Sequence, residues 1–248
     1  MRRGRVGRAR ILHMSTLMSD RAPTIEARSG PRRSTLPPPR LVIVAATALA
    51  AFAALGGAIS SQATTSFDAS VRRWALGANG PVCTSVFSLL STVGSVTPMI
   101  VYACVLGALV AIYRRSATPL TIVGAPLLAV FAYLGTKAIF LRTRPSGVGN
   151  AFEGTYSFPS AHATTSSAVC FGVAYLLHRE GLVSGAVAAT AAALVTLVIG
   201  VSRVYLDVHW ATDVLGGWFL GAGIGAATAA LYEAANAAVG RTVSPSVQ

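Results

Sequence analysis

The chain has 248 residues, of which 53% are hydrophobic and only 11% charged, and its mean hydropathy is +0.61. Soluble domains typically carry about 25% charged residues, so too little polar surface is available to cover a core. Abundant aliphatic residues and only three cysteines also exclude a disordered chain, a disulfide scaffold and a coiled coil.

In chain order, residues 1–40 come first as an Arg-, Ser- and Pro-rich leader that reads as a disordered tail. They hold ten arginines against Asp20 and Glu26 and so carry most of the net charge of +12. No basic stripe or nucleic-acid motif accompanies them, so membrane orientation explains them better than nucleic-acid binding. A bilayer core of about 30 Å needs about 20 apolar residues. Six such runs follow, at residues 41–60, 84–112, 119–141, 161–178, 182–201 and 211–232. The first is too long, and lies too far from the start, for a cleaved signal sequence, and is expected to be an anchor. Gly94 and Pro98 interrupt the second, so that its span can begin as late as Val96. Residues 236–248 are expected to form a short second tail. The fold expected is all-α, a polytopic membrane bundle of about six helices occupying residues 41–235.

Counting arginines on alternate sides of six spans places fourteen on the side of the two tails and five, with Lys137, on the other. Both termini are therefore expected in the cytoplasm of a multi-pass protein of the cell membrane. The loops at 61–83, 142–160 and 202–210 are expected at the outer face. Several residues are expected to be structural. Gly217, Gly221 and Gly225 read as a helix-packing stripe, His178 as a cytoplasmic loop residue, His13 as part of the tail, and Trp74, Trp210 and Trp218 as interfacial or packing aromatics. Cys83, Cys104 and Cys170 lack C-x-x-C spacing and suggest neither a disulfide nor a zinc site. Arg142 reads as an interfacial positioning residue within reach of a phosphate, while Tyr205 and Asp207 have no evident role.

Three segments collect costly polar groups on the outer face: Lys137 to Arg144-Pro145, Pro159-Ser160-Ala161-His162, and Ser202-Arg203 through His209 to Asp213. Ionisable groups at the hydrocarbon boundary are candidates for function. Four residues apart on one helix face, Asp213 can accept an imidazole N–H from His209, fix its tautomer and leave the other nitrogen as nucleophile or base. Such a pair alone is weak evidence and reads more readily as surface pairing. Lys137, Arg144 and Arg203, at the ends of three different spans, describe a site for a multiply charged anion, of which phosphate is the commonest. Ser160 precedes a helix, where it can cap or donate to phosphate and where the backbone N–H groups favour an oxyanion. His162 supplies a second imidazole. With only Asp68, Glu153, Asp207 and Asp213 as outer carboxylates, a route without metal or other cofactor is favoured. In that route one histidine attacks phosphorus and the other protonates the departing alkoxide.

These segments resemble the signature of the type 2 phosphatidic acid phosphatase (PAP2, or lipid phosphate phosphatase) superfamily, which also includes vanadium haloperoxidases: K-x6-RP, PSGH and SR-x5-H-x3-D. The resemblance covers about residues 41–232, and Asp68 followed by Trp74 is similar to the family's first outer loop. It implies a PAP2/haloperoxidase-like bundle that hydrolyses a lipid phosphate or pyrophosphate, such as phosphatidic acid, phosphatidylglycerol phosphate or a polyprenyl pyrophosphate. It further implies that His209 forms a phosphohistidine, that Asp213 orients it, and that His162 is the general acid. By the same resemblance Lys137, Arg144, Ser160, Arg203 and the Ala161 N–H bind the phosphoryl oxygens, and neither a metal nor another cofactor is used. The partners implied are the lipid substrate and membrane lipids. The family glycine is Ala161 here, which keeps the N–H but suits only negative φ. A lipid phosphotransferase and a catalytically silent lipid-binding member are the alternatives; a haloperoxidase is disfavoured because the matching soluble enzymes lack such spans.

Overall fold

The computed structural model describes residues 38–145 and 156–242, with side chains to residue 239. Most of the leader, the segment holding Glu153, and the last residues of the C-terminal tail, with the Arg241 side chain, lie outside the described residues. Eight α-helices follow one another among those described: α1 (Pro39–Ser60), α2 (Thr65–Gly77), α3 (Pro81–Val93), α4 (Val96–Arg114), α5 (Gly124–Phe140), α6 (Ala161–Arg179), α7 (Gly185–Tyr205) and α8 (Ala211–Thr242). A 3-10 segment, Thr118–Val123, leads into α5. The described residues contain no strand, only one isolated bridge between Thr143 and Tyr156.

Local sequence explains most of these boundaries. Proline occupies the first turn of α1 and α3, where its missing N–H costs nothing. Ser160 and Ser184 cap α6 and α7 by accepting the N–H groups of Ala163 and Val187. Leu141 turns left-handed (φ 48°) and ends α5, releasing the chain into the Arg142–Pro145 stretch.

The apolar run at 84–112 proves to be two helices. The chain breaks at Gly94–Ser95, and α3, at 13 residues, spans only about 20 Å, so α4 alone is long enough to cross. The expected loop at 61–83 contains a second unforeseen element, α2. The expected run at 182–201 starts and ends later, as α7, and the last run extends to Thr242 as α8.

Among the described residues, five helical segments are long and apolar enough to span: Pro39–Ser60, Val96–Arg114, Thr118–Phe140, Gly185–Tyr205 and Ala211–Val239. The sixth expected span, α6, is 19 residues long, about 28 Å, but carries Thr164, Thr165, Ser166 and Ser167, all buried. It packs against α4, α5, α7 and α8, so its polarity meets protein rather than lipid. Two of these hydroxyls bond back into the helix, Thr164 to the Ser160 carbonyl (2.8 Å) and Ser166 to that of Ala163 (3.4 Å). Ser167 donates across to Trp218 O (3.0 Å). Gly217, Gly221 and Gly225 of α8 face the backbone of α6, as the small-residue stripe predicts. Large apolar side chains such as Ile112, Phe131 and Ile139 point outward, about 75% exposed, as a lipid-facing surface requires.

Candidate active site

At one end of the bundle the three polar segments converge. Lys137 lies in the last turn of α5, buried, with its ammonium donating to the Tyr156 carbonyl. Seven residues on, Arg144 is also buried. Its Nη1 donates to Val208 O (2.8 Å) and lies 3.3 Å from His209 Nε2. Arg203, in the last turn of α7, donates to the Ser91 hydroxyl of α3.

Ser160 is the N-cap of α6, and its N–H donates to Asp213 O (3.0 Å), which joins the starts of α6 and α8. Phe158 anchors this entry from below, buried against Phe52 and Phe140 (5.4 and 4.8 Å between ring centroids). Ala161 opens α6 in ordinary helical geometry and is not among the residues with positive φ. The alanine is therefore accommodated without backbone strain and keeps its N–H at a helix start, where oxyanions bind. His162, one residue further, is buried, and Arg203, His209, Arg144 and Lys137 all act electrostatically on its ring. Lys137, Arg144, Ser160, His162, Arg203, His209 and Asp213 thus lie in one cluster.

His209 sits in the short connection between α7 and α8, fully enclosed. Its Nδ1 lies 3.3 Å from Asp213 Oδ2, which also accepts the Trp210 N–H at 2.9 Å. That second bond is the reach-back of a carboxylate at the third residue of the helix to the N–H of the capping residue Trp210, and it fixes Asp213 locally. With Nδ1 turned to the carboxylate, Nε2 faces the Arg144 guanidinium as an acceptor, the arrangement of a neutral nucleophile beside a cation. Burial, followed by the charges of Arg144, Arg203 and Lys137, pushes the His209 imidazole well below its ordinary range, with the Ser157 backbone opposing. The ring is neutral at pH 7.

Further residues act here whose partners the sequence does not give, Tyr205 and Asp207 among them. Arg142 bridges two buried carboxylates, Asp213 Oδ1 and Asp68 Oδ2, at 2.6 Å each. Asp207, at φ 54°, is paired with Arg72 of α2 (2.7 and 2.8 Å). Tyr205 donates to Ala78 O (3.1 Å) and accepts the Gly80 N–H (3.0 Å). Together these tie α2 to the connection that carries His209. The sequence signal was the likeness of Asp68 and Trp74 to the family's first outer loop, which carries no partner information. Trp210 donates its indole N–H to Thr143 O (2.9 Å), and the guanidinium of Arg142 lies 5.6 Å from its ring. Among the described residues no group of three or more His, Cys, Asp or Glu is placed to hold a metal ion.

The site pairs three cations with two imidazoles and a helix start, which suits a phosphoryl group held and attacked in place. The opposite end of the bundle carries a different arrangement, the Arg114–Glu180 and Arg179–Glu233 ion pairs.

Comparison with known proteins places the chain in a family. Residues 118–237 match the family model of the PAP2 superfamily. The chain is 30% identical over 187 residues to phosphatidylglycerophosphatase B of Bacillus subtilis (strain 168), covering 68% of this chain and 85% of that protein. Its fold is similar to that in the crystal structure of a transmembrane PAP2-type phosphatidylglycerolphosphate phosphatase from Bacillus subtilis. The TM-score is 0.69 at 23% identity, over 82% of this chain and 98% of that one. The shared bundle and the extent of the sequence match make this chain a member of the PAP2 superfamily.

Proposed function

We propose that this chain is a membrane lipid phosphatase that works through a phosphohistidine on His209. The observation that carries the reading is the His209 ring itself, with Nδ1 on Asp213, Nε2 facing Arg144, and His162, Lys137 and Arg203 close by. Nε2 attacks phosphorus and the P–O bond to the lipid breaks, while His162 gives its proton to the departing alkoxide. Lys137, Arg144, Arg203, Ser160 and the Ala161 N–H hold the phosphoryl oxygens as charge builds on them. Water then attacks the phosphohistidine with His162 as base, releasing phosphate and restoring both imidazoles. The lipid tail stays in the apolar phase and holds the phosphate at the interface.

Phosphatidylglycerol phosphate is the first substrate to test, since the Bacillus relative is named for it. The catalytic unit is residues 41–235, flanked by cytoplasmic tails, with the site at the outer face; the arginine asymmetry supports this orientation. The test is phosphate release by detergent-purified protein with EDTA present, from phosphatidylglycerol phosphate, phosphatidic acid and a polyprenyl pyrophosphate. The expected result is release by the parent and a loss of at least about 10³-fold in His209→Ala. Equal release by parent and variant would overturn the assignment of His209, and folded parent protein inert toward all three lipids would overturn the function.

A further inference from the structure

Arg142 lies inside the variable gap of the first motif, and Asp68 lies on α2, outside all three. Both bear on the catalytic carboxylate. Asp213 is fully enclosed, and its two oxygens have separate duties. Oδ2 takes the Trp210 N–H and faces His209, while Oδ1 takes Arg142 Nη1 at 2.6 Å. The same Nη1 reaches Thr212 Oγ1 (2.8 Å), and Nη2 reaches Asp68 Oδ2 (2.6 Å). Asp68, itself buried, accepts the Thr212 N–H (2.9 Å) on Oδ1 and the Thr212 hydroxyl (2.7 Å) on Oδ2. The guanidinium is thus clamped from α2 and from the first turn of α8, with the Trp210 ring beside it.

We propose that Arg142 and Asp68 are a positioning pair for the phosphatase reaction: they lock the rotation of the Asp213 carboxylate so that Oδ2 holds the His209 ring with Nε2 presented to phosphorus. The inference rests on the phosphohistidine reading above. A planar fork is what the task requires, because one cation must meet two carboxylates in fixed directions, which a lysine ammonium does not do. The charges also fit. Two carboxylates against one guanidinium leave one negative charge on the Nδ1 side of His209, opposite the Nε2 that faces Arg144, where it meets the positive charge of an imidazole bonded to phosphorus. Neither Arg142 nor Asp68 touches the reacting atoms in this scheme.

The test is steady-state kinetics of the full chain in detergent on short-chain phosphatidylglycerol phosphate and phosphatidic acid. The variants are Arg142→Gln, Arg142→Lys, Asp213→Asn and the double variant Arg142→Gln/Asp213→Asn, with Arg179→Gln as the ion-pair control at the far end. Arg142→Gln is expected to lower kcat about 10²-fold and Arg142→Lys about 10-fold, with KM changed less than about 3-fold. The double variant is expected to fall no more than about 3-fold below Asp213→Asn, since both act through one carboxylate. Folded Arg142→Gln with parental kcat, or a loss fully additive with Asp213→Asn, would overturn the pair's role. If Arg142→Gln is not recovered folded, Arg142→Lys decides: parental kcat overturns the proposal, and a lowered kcat at constant KM supports it. A His209→Ala variant that still turns over sinks the phosphohistidine reading; an inactive one beside a fully active Arg142→Gln sinks only the positioning role.

Discussion

Replacing Gly217 by alanine tests whether the seam between α6 and α8 sets the catalytic geometry. A Cβ at this position would lie 2.7 Å from Ala163 Cβ, 2.9 Å from Ser160 O and 3.0 Å from Thr164 N. Two of these three are backbone atoms in the turn that carries Ser160 and His162, so no side-chain rotation relieves the clash. Non-bonded carbon atoms pack best at about 3.5 Å or more, so the helices must part by roughly half an ångström at this level. Overpacking of this kind costs about 1–3 kcal/mol of stability. It also stretches the Ser160 N–H to Asp213 O bond and moves His162 away from His209. A displacement of about 1 Å in a catalytic group costs about 10²-fold, so half of that should lower kcat about 10-fold. The assay is kcat and thermal unfolding in the same detergent. Gly135→Ala, whose Cβ meets nothing within 4 Å, is the neutral comparison. Gly217→Ala with parental kcat and parental melting temperature would refute the reasoning.

Two other expectations follow from the same geometry. The native His209 imidazole is held well below its ordinary range, by burial first and then by Arg144, Arg203 and Lys137, whereas the unfolded chain protonates it near about pH 6.5. The unfolded state therefore binds the extra proton, and stability must fall as pH drops below about 6.5. Melting temperatures between neutral and acid pH should show this slope, partly flattened in His209→Gln; a slope of opposite sign, or one unchanged in the variant, counts against it. Cys83 is exposed on the first turn of α3, whereas Cys104 lies within α4. A membrane-impermeant maleimide applied to intact cells should label Cys83 and not Cys104, and labelling of Cys83 only after permeabilisation would invert the proposed orientation.

Much of the site was legible before any fold was known, because its chemistry is written in residue type and spacing. His209, just before α8, and Asp213, in the first turn of α8, are four residues apart, and Asp213 also accepts the Trp210 N–H at the start of that helix, so their relation is local. Lys137, Arg144 and Arg203 are expensive near hydrocarbon, and their positions at span ends, with Ser160 at a helix start, mark them as candidates for function. Five of the six apolar runs were equally legible as candidate spans among the described residues, since bilayer thickness sets the length of a span. The break of the second run was visible at Gly94, although its consequence, a short α3 lying apart from α4, was not.

Tertiary structure decided what depends on partners far apart in the chain. Asp68 lies more than seventy residues before Arg142 and more than 140 before Thr212, and nothing in either segment names the other. The same holds for Arg72 with Asp207 and for Tyr205 with Gly80. The hydroxyl-rich face of α6 shows the limit from the other side: its polarity weakens it as a spanning segment by composition, and only enclosure by four other helices makes it the centre of the bundle. Composition and spacing determined that this chain crosses a membrane and handles a phosphate, because hydrophobic length and charge placement are properties of the chain itself. Which carboxylates meet which arginines, and therefore how the His209 ring is held, was decided by packing, because ion-pair partners are chosen in space.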